Sequence, residues 1–84
     1  MYRIRTYHEA QEQVAALPDE ALEAYTQALG VLELVPWNGL PHNEDNPKGA
    51  LRQLLFGADG QGCVIYLILD DQRYVDVVRI LWIG

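Results

Sequence analysis

The chain has 84 residues, of which 12 are acidic and 6 are basic, so its formal net charge is −6. This length predicts a single domain spanning 1–84, and an apolar content of 50% excludes a disordered chain. No apolar run approaches the ~18 residues that a membrane helix needs. The single cysteine, Cys63, excludes an internal disulfide and is typical of a reducing compartment. These features predict a small soluble domain of the cytoplasm, without a membrane partner.

The charges are unevenly distributed along the chain. Residues 8–34 contain six acidic side chains and no lysine or arginine, whereas all six basic residues lie outside this segment. If this segment forms one layer of the fold, the molecule is electrically two-sided. The overall negative charge opposes non-specific binding of nucleic acid, but it leaves room for a local basic patch on the other layer.

The first part of the chain predicts one strand followed by a helical hairpin. In residues 2–6 two arginines alternate with less polar side chains, which is the period of a strand that buries one face. A threonine and a glutamate three residues apart, the capping-box pattern, predict a helix that begins near Tyr7. Pro18 ends this helix and suits the first turn of a second helix over 18–34. Gly30 costs that helix about 1 kcal/mol relative to alanine, so we expect it to pack closely against a neighbouring backbone.

The second part predicts a long loop and three strands. Residues 36–49 contain three prolines, two glycines and three asparagines, which indicates a loop that is either functional or a plain connector. Strands follow over 50–56, 62–69 and 73–83, and 62–69 is so apolar that we expect it to be covered on both faces. The turn at 70–72 has two or three residues, and its length decides which face carries Arg79.

The predicted fold is therefore α+β, in the order β-α-α-β-β-β. A helical hairpin packs on one face of a small, mostly antiparallel four-stranded sheet. The whole chain forms one domain.

Several kinds of chemistry are excluded. His8, His42 and Cys63 fall on different predicted elements and lack the short spacing of a zinc site, so no metal is expected. The chain has no serine, and its glycines cluster in turns instead of forming a phosphate-binding loop before a helix. No cofactor is expected either.

The basic residues of the second part are the candidate site. Arg52 and Arg79 occur within apolar strands, so each must face solvent, a partner or a functional cleft. An arginine fork suits phosphate, and Lys48 precedes Arg52 closely enough to share that role. His42 is the nearby group whose ordinary pKa permits proton transfer near neutrality. The alternative is that the arginines form surface ion pairs with Asp76, Asp70 or Glu44.

The aromatic residues have two interpretations. Trp82, near the end of the chain, could stack on a nucleobase. In a chain this short, however, aromatic side chains more often belong to the core.

Three stretches, taken with the order of elements, resemble the RelE/ParE superfamily of type II toxin–antitoxin toxins. Residues 51–54 read Leu-Arg-Gln-Leu and resemble the family's Leu-Arg-Glu-Leu strand. Residues 62–66 read Gly-Cys-Val-Ile-Tyr and resemble its Tyr-Arg-Val-x-Tyr strand, and 78–82 are similar to the end of YoeB-like members. The resemblance implies a toxin held by an antitoxin. Many relatives cut messenger RNA in the ribosomal A site, whereas the ParE branch poisons DNA gyrase.

The resemblance also implies roles for particular residues. Arg52 and Arg79 match positions where basic groups grip phosphate while the ribose 2′-hydroxyl attacks. A metal-independent endoribonuclease would use these two and Lys48 for phosphate, with His42 as acid or base. Trp82 occupies the aromatic position that stacks on RNA.

The sequence departs from the family pattern at three positions. Cys63, Leu55 and Leu81 stand where basic residues or a histidine are expected, and each replacement removes a donor or a proton carrier. Such losses favour a catalytically inactive, protein-binding module with the toxin fold. A further alternative is an unrelated α+β homodimer that pairs through strand 50–56.

Overall fold

The computed structural model describes residues 1–84 and has two layers, a pair of helices and a five-stranded sheet. The sheet order is β1-β5-β4-β3-β2, with β1 parallel to β5 and the other neighbours antiparallel. Neither helix is long and apolar enough to span a membrane. The elements are β1 (Arg3–Thr6), α1 (His8–Ala15), α2 (Asp19–Leu34), β2 (Leu40–Pro41), β3 (Leu51–Phe56), β4 (Gly62–Leu69) and β5 (Tyr74–Trp82).

The predicted α+β fold, with its helical hairpin on one face of the sheet, is confirmed, but the sheet has five strands and not four. The additional strand, β2, lies inside the segment predicted as a loop and pairs with Arg52 and Gln53 of β3. Two residues are too few to show a strand period, so the sequence could not reveal it. β2 also covers part of the edge through which the sequence allows a homodimer.

The core lies between α2 and the middle of the sheet. α2 turns Tyr25 and Leu32 toward β4, where Val64 and Tyr66 are fully buried. Small residues on the same side of α2, such as Ala28, let the helix backbone approach the sheet closely. This layer buries only the helix-facing half of the central strand.

A β-bulge determines which side chains of β5 point toward the helices and which point away from them. Tyr66 pairs with Val77, but its neighbour Ile65 pairs with Arg79, so Val78 is the extra residue. In an unbroken ladder Arg79 would lie on the helix-facing side with Tyr66. The bulge moves Arg79 to the other side, which it shares with Cys63. The sequence indicated that the length of the turn at 70–72 decides which face carries Arg79, but the bulge and not the turn decides it.

The turn at Pro36–Asn38 is anchored to the sheet at two places. The buried Tyr66 hydroxyl donates to the Pro36 carbonyl at 2.6 Å, and burial raises the pKa of Tyr66 to about 12. The Asp70 carboxylate accepts hydrogen bonds from the Tyr2 hydroxyl and the Trp37 indole, which lowers the pKa of Asp70. These contacts fix the start of the long segment that leads to β3.

Replacing Tyr66 with phenylalanine is expected to lower the free energy of unfolding by about 1–3 kcal/mol, because the buried Pro36 carbonyl loses its side-chain donor. Urea unfolding measures the change. Tyr7→Phe is the matched control, since Tyr7 is exposed and its hydroxyl makes no hydrogen bond. A Tyr66→Phe protein as stable as the control would contradict this role.

Gly30 does not pack closely against a backbone, as the sequence had suggested. It is exposed on α2, and a Cβ added there would meet no atom within 4 Å. Gly30→Ala is therefore expected to raise the free energy of unfolding by about 0.8–1 kcal/mol, the difference in helix propensity. Thermal and urea unfolding check the gain, and a destabilised variant would show that the glycine has a conformational role.

Candidate functional site: the open face of the sheet

The face of the sheet turned away from the helices, here called the open face, is arranged in cross-strand rows. In the central row Arg79 pairs with Ile65, which pairs with Gln53 on β3. Apolar side chains occupy most positions of the neighbouring rows. The apolar members of the open face are Leu40, Leu51, Leu55, Cys63, Ile65, Leu67, Leu69 and Leu81.

This apolar surface was missed because 62–69 predicts a strand covered on both faces. The helices cover only one face of β4, and Cys63, Ile65, Leu67 and Leu69 are half-buried on the other. Leu55 and Leu81, on either side of Cys63, are 56% and 42% exposed. The sequence did contain a sign of this surface: the 62–69 run is apolar on both faces, but the chain has only two predicted helices, which can cover one face of the sheet.

Arg79 is the free cation near the middle of the open face. Its side chain is exposed and has no carboxylate within 4 Å. Arg5, on the neighbouring edge strand, is neutralised instead: its guanidinium donates to both Asp76 oxygens, at 2.7 and 3.2 Å, and lies over the Tyr74 ring. Arg79 therefore does not form an ion pair with Asp76, which the sequence allowed as an alternative, and the carboxylate is bound by Arg5 instead.

His42 shares the open face with Arg79. Its Nδ1 lies 3.0 Å from Oε1 of Gln53, and Gln53 is separated from Arg79 by one strand. Two strand spacings correspond to about 10 Å between the Gln53 and Arg79 backbones. The structure thus brings two of the predicted site residues to one surface.

Arg52 lies on the opposite side of the sheet. It pairs with Tyr66, and its guanidinium donates to the carbonyls of Gly39, Pro47 and Gly49 at 3.0, 2.9 and 3.1 Å. This geometry ties the 36–49 segment to β3 and leaves Arg52 away from Arg79.

The other two predicted site residues are also separate from the open face. Trp82 pairs with Gly62 on the helix-facing side, and its ring stacks on Phe56 with centroids 5.9 Å apart. Lys48 is exposed in the 36–49 segment and makes no hydrogen bond or ion pair. The arrangement assigns Trp82 to the edge of the core and leaves Lys48 free in solvent.

No three His, Cys, Asp or Glu side chains of residues 1–84 converge closely enough to hold a metal ion.

The chain has clear structural relatives although no protein-family model and no curated protein sequence matches it. The isolated E. coli RelE toxin superposes with a TM-score of 0.81, covering 100% of this chain and 86% of that chain at 12% identity. This chain has the RelE toxin fold. The M. tuberculosis RelBE2 toxin–antitoxin complex gives a TM-score of 0.75 at 22% identity, covering 98% of both chains. The archaeal RelE–RelB complex from Pyrococcus horikoshii gives 0.67 at 16% identity, covering 99% of this chain and 96% of that chain.

The reactivity of the Cys63 thiol can be used to probe the open face of this RelE fold. Burial raises the pKa of its thiol, so the unreactive protonated form persists to higher pH than in a free cysteine. We expect slow labelling by a disulfide reagent at pH 8, with a rate that rises toward alkaline pH. Leu81→Ala should accelerate labelling, because Leu81 lies directly across from Cys63. Labelling as fast as in the urea-unfolded chain would contradict this environment.

Proposed function

We propose that this chain is the toxin of a type II toxin–antitoxin pair and that a cognate antitoxin holds it inactive. The support is a RelE fold that spans the whole chain, together with matched structures that are toxin–antitoxin complexes.

The open face is the surface that we propose to contact the target. Arg79 supplies an exposed charge there, and the leucines and isoleucine around it supply an apolar surface that excludes water. An apolar centre with one arginine is typical of protein-binding sites, in which arginine contributes strongly to affinity. Arg79 is therefore the residue on which the proposal chiefly depends.

The charge pattern favours a protein target over RNA. Holding an RNA backbone takes several cations, but Arg5 is neutralised by Asp76 and Arg52 is turned into the 36–49 segment. Arg79 and, on the edge strand β1, Arg3 are left as the arginines of the open face without an ion pair, and the net charge is −6. Leu81 and Cys63 continue the apolar surface beside Arg79. Inhibition of DNA gyrase, the activity of the ParE branch, is accordingly the mode of action that we propose.

Messenger RNA cleavage on the ribosome is the second candidate, and one observation favours it. His42 and Arg79 lie on the same face, where Arg79 could stabilise charge on a phosphate and His42 could transfer a proton without a metal. The predicted contributions of Arg52, Lys48 and Trp82 to this reaction remain untested. Of the two residues that share the open face, only His42 would be specific to this mechanism.

Tightly induced expression in bacteria tests the proposal. Wild-type protein is expected to arrest growth, and Arg79→Ala is expected to relieve the arrest at equal soluble expression, because the middle of the open face loses its free charge. Arg73→Asn is the matched control: it removes an exposed arginine at the turn before β5, where asparagine suits the left-handed backbone at φ 59°.

A second measurement separates the two modes of action. Under gyrase inhibition, His42→Ala should still arrest growth and the purified protein should block DNA supercoiling. Under RNA cleavage, His42→Ala should be harmless and wild type should produce cut messenger RNA on ribosomes. Normal growth with soluble wild-type protein would contradict toxicity and favour the inactive, partner-binding alternative.

A further inference from the structure

The apolar part of the open face is arranged evenly about the midline of the sheet. β4 is the middle strand of the five, and its four outward side chains are uncharged and half-buried. Leu51 and Leu55 on one neighbouring strand and Leu81 on the other are 36%, 56% and 42% exposed. A surface that is apolar on both sides of its own midline can pack against a copy of itself.

The size of the open face suits a small dimer interface. Five strands at about 4.8 Å spacing span about 19 Å, and the eight residues of β4 extend for about 26 Å. This outline of roughly 500 Å² is close to the ~600 Å² per partner at the lower end of specific interfaces. A second copy offers a face of the same width and length, and the pairing that we expect is weak and dependent on concentration.

The two edges of the open face carry opposite charge. Arg3, on the edge strand β1, is exposed and has no ion pair. At the other edge, the segment that follows β2 contains Glu44 and Asp45, which are exposed and also have no ion pair. Lys48 is the one basic residue of this segment, so two acidic groups and one basic group leave it with a net charge of −1.

These opposite charges lie at the same end of the sheet. The His42 amide donates to the Leu51 carbonyl, so His42 lies in the cross-strand row that ends with Arg5. The chain passes from β2 through His42 toward the next row, which is the row of Arg3. The turn that follows His42 is therefore level with Arg3, on the opposite edge.

A two-fold axis along β4 matches these features to each other. It lays one open face on another with the strands aligned, as in a sandwich of two sheets about 10 Å apart. β4 then packs on β4 of the second copy, β5 faces β3, and β1 faces β2. Arg3 of each copy meets the Glu44–Asp45 turn of the other, and Arg79 faces Gln53 instead of a second Arg79.

We propose that two copies of this chain pack open face to open face about an axis along β4, so that the free protein is a weak homodimer. Its regulatory consequence rests on the proposed function. The dimer covers Arg79 and the surface that contacts the target, so a second copy and the target compete for one face.

Light scattering on the purified full chain over a series of concentrations tests the pairing. The mass is expected to rise from 9.5 kDa toward twice that value as the concentration increases. Leu81→Glu should raise the dissociation constant of the dimer by about tenfold or more, because it places a carboxylate in an apolar contact. Leu34→Glu is the matched control: it makes the same change at an exposed leucine at the end of α2, with the same net charge of −7 (−6 minus 1). Circular dichroism checks that both variants fold.

A charge exchange tests the direction of the axis. Arg3→Glu has a net charge of −8 (−6 minus 2), and Glu44→Lys/Asp45→Lys has a net charge of −2 (−6 plus 4). Each variant alone sets like charges against each other and should dimerise several-fold more weakly than wild type. An equimolar mixture restores both opposite-charge contacts, so it should form more dimer than either variant alone. Net charge by itself would instead favour pairing of the −2 variant with itself.

Each outcome decides the inference. Concentration-dependent dimers that are weakened by Leu81→Glu alone, together with recovery in the mixture, support it. A wild-type chain that stays monomeric at every concentration overturns it, as does a dimer that Leu81→Glu does not weaken or that Leu34→Glu weakens equally. A mixture no more dimeric than the −2 variant overturns the proposed axis. Growth arrest on expression decides independently whether the chain is a toxin, so a harmless chain that still dimerises would contradict the proposed function and leave the pairing supported.

Discussion

The central strand of this protein is apolar on both faces, but its two helices cover only one of them. Tyr66 and Val64 are sealed under α2, whereas Ile65 and Leu67, their immediate neighbours, face outward. Removing an apolar side chain from water stabilises a fold by roughly 25 cal/mol for each Å² of buried surface. The uncovered half of β4 retains that driving force, which supports the proposal that the open face contacts the target.

The bulge at Val78 gives this apolar surface its charge. A regular ladder would direct Arg79 toward the helices, into a core in which the neighbouring β5 residues Val75 and Val77 are fully buried and apolar. Burying an unpaired guanidinium there would cost several kcal/mol. One additional residue in β5 avoids that cost and returns Ile80 to the core. The same irregularity therefore serves both stability and the proposed target contact.

Charge is divided between the two sides of the molecule. The helical layer, residues 8–34, contains six acidic side chains and no lysine or arginine. The open face has Arg79 and no free carboxylate opposite it. A target that pairs with an arginine, as proposed above, would therefore bind the open face and not the acidic helical layer.

The sequence by itself determined the order of the elements, the helical hairpin, the division of charge and the resemblance to RelE/ParE toxins. These features are local, because helix and strand periods and turn residues act over a few positions. Only the tertiary structure decided the directions of Arg52 and Arg79, which occur in similar apolar strands. Arg52 meets three carbonyls of a segment that returns over β3, and Arg79 follows a bulge created by pairing with β4. Both outcomes depend on contacts between distant parts of the chain, which no local pattern records.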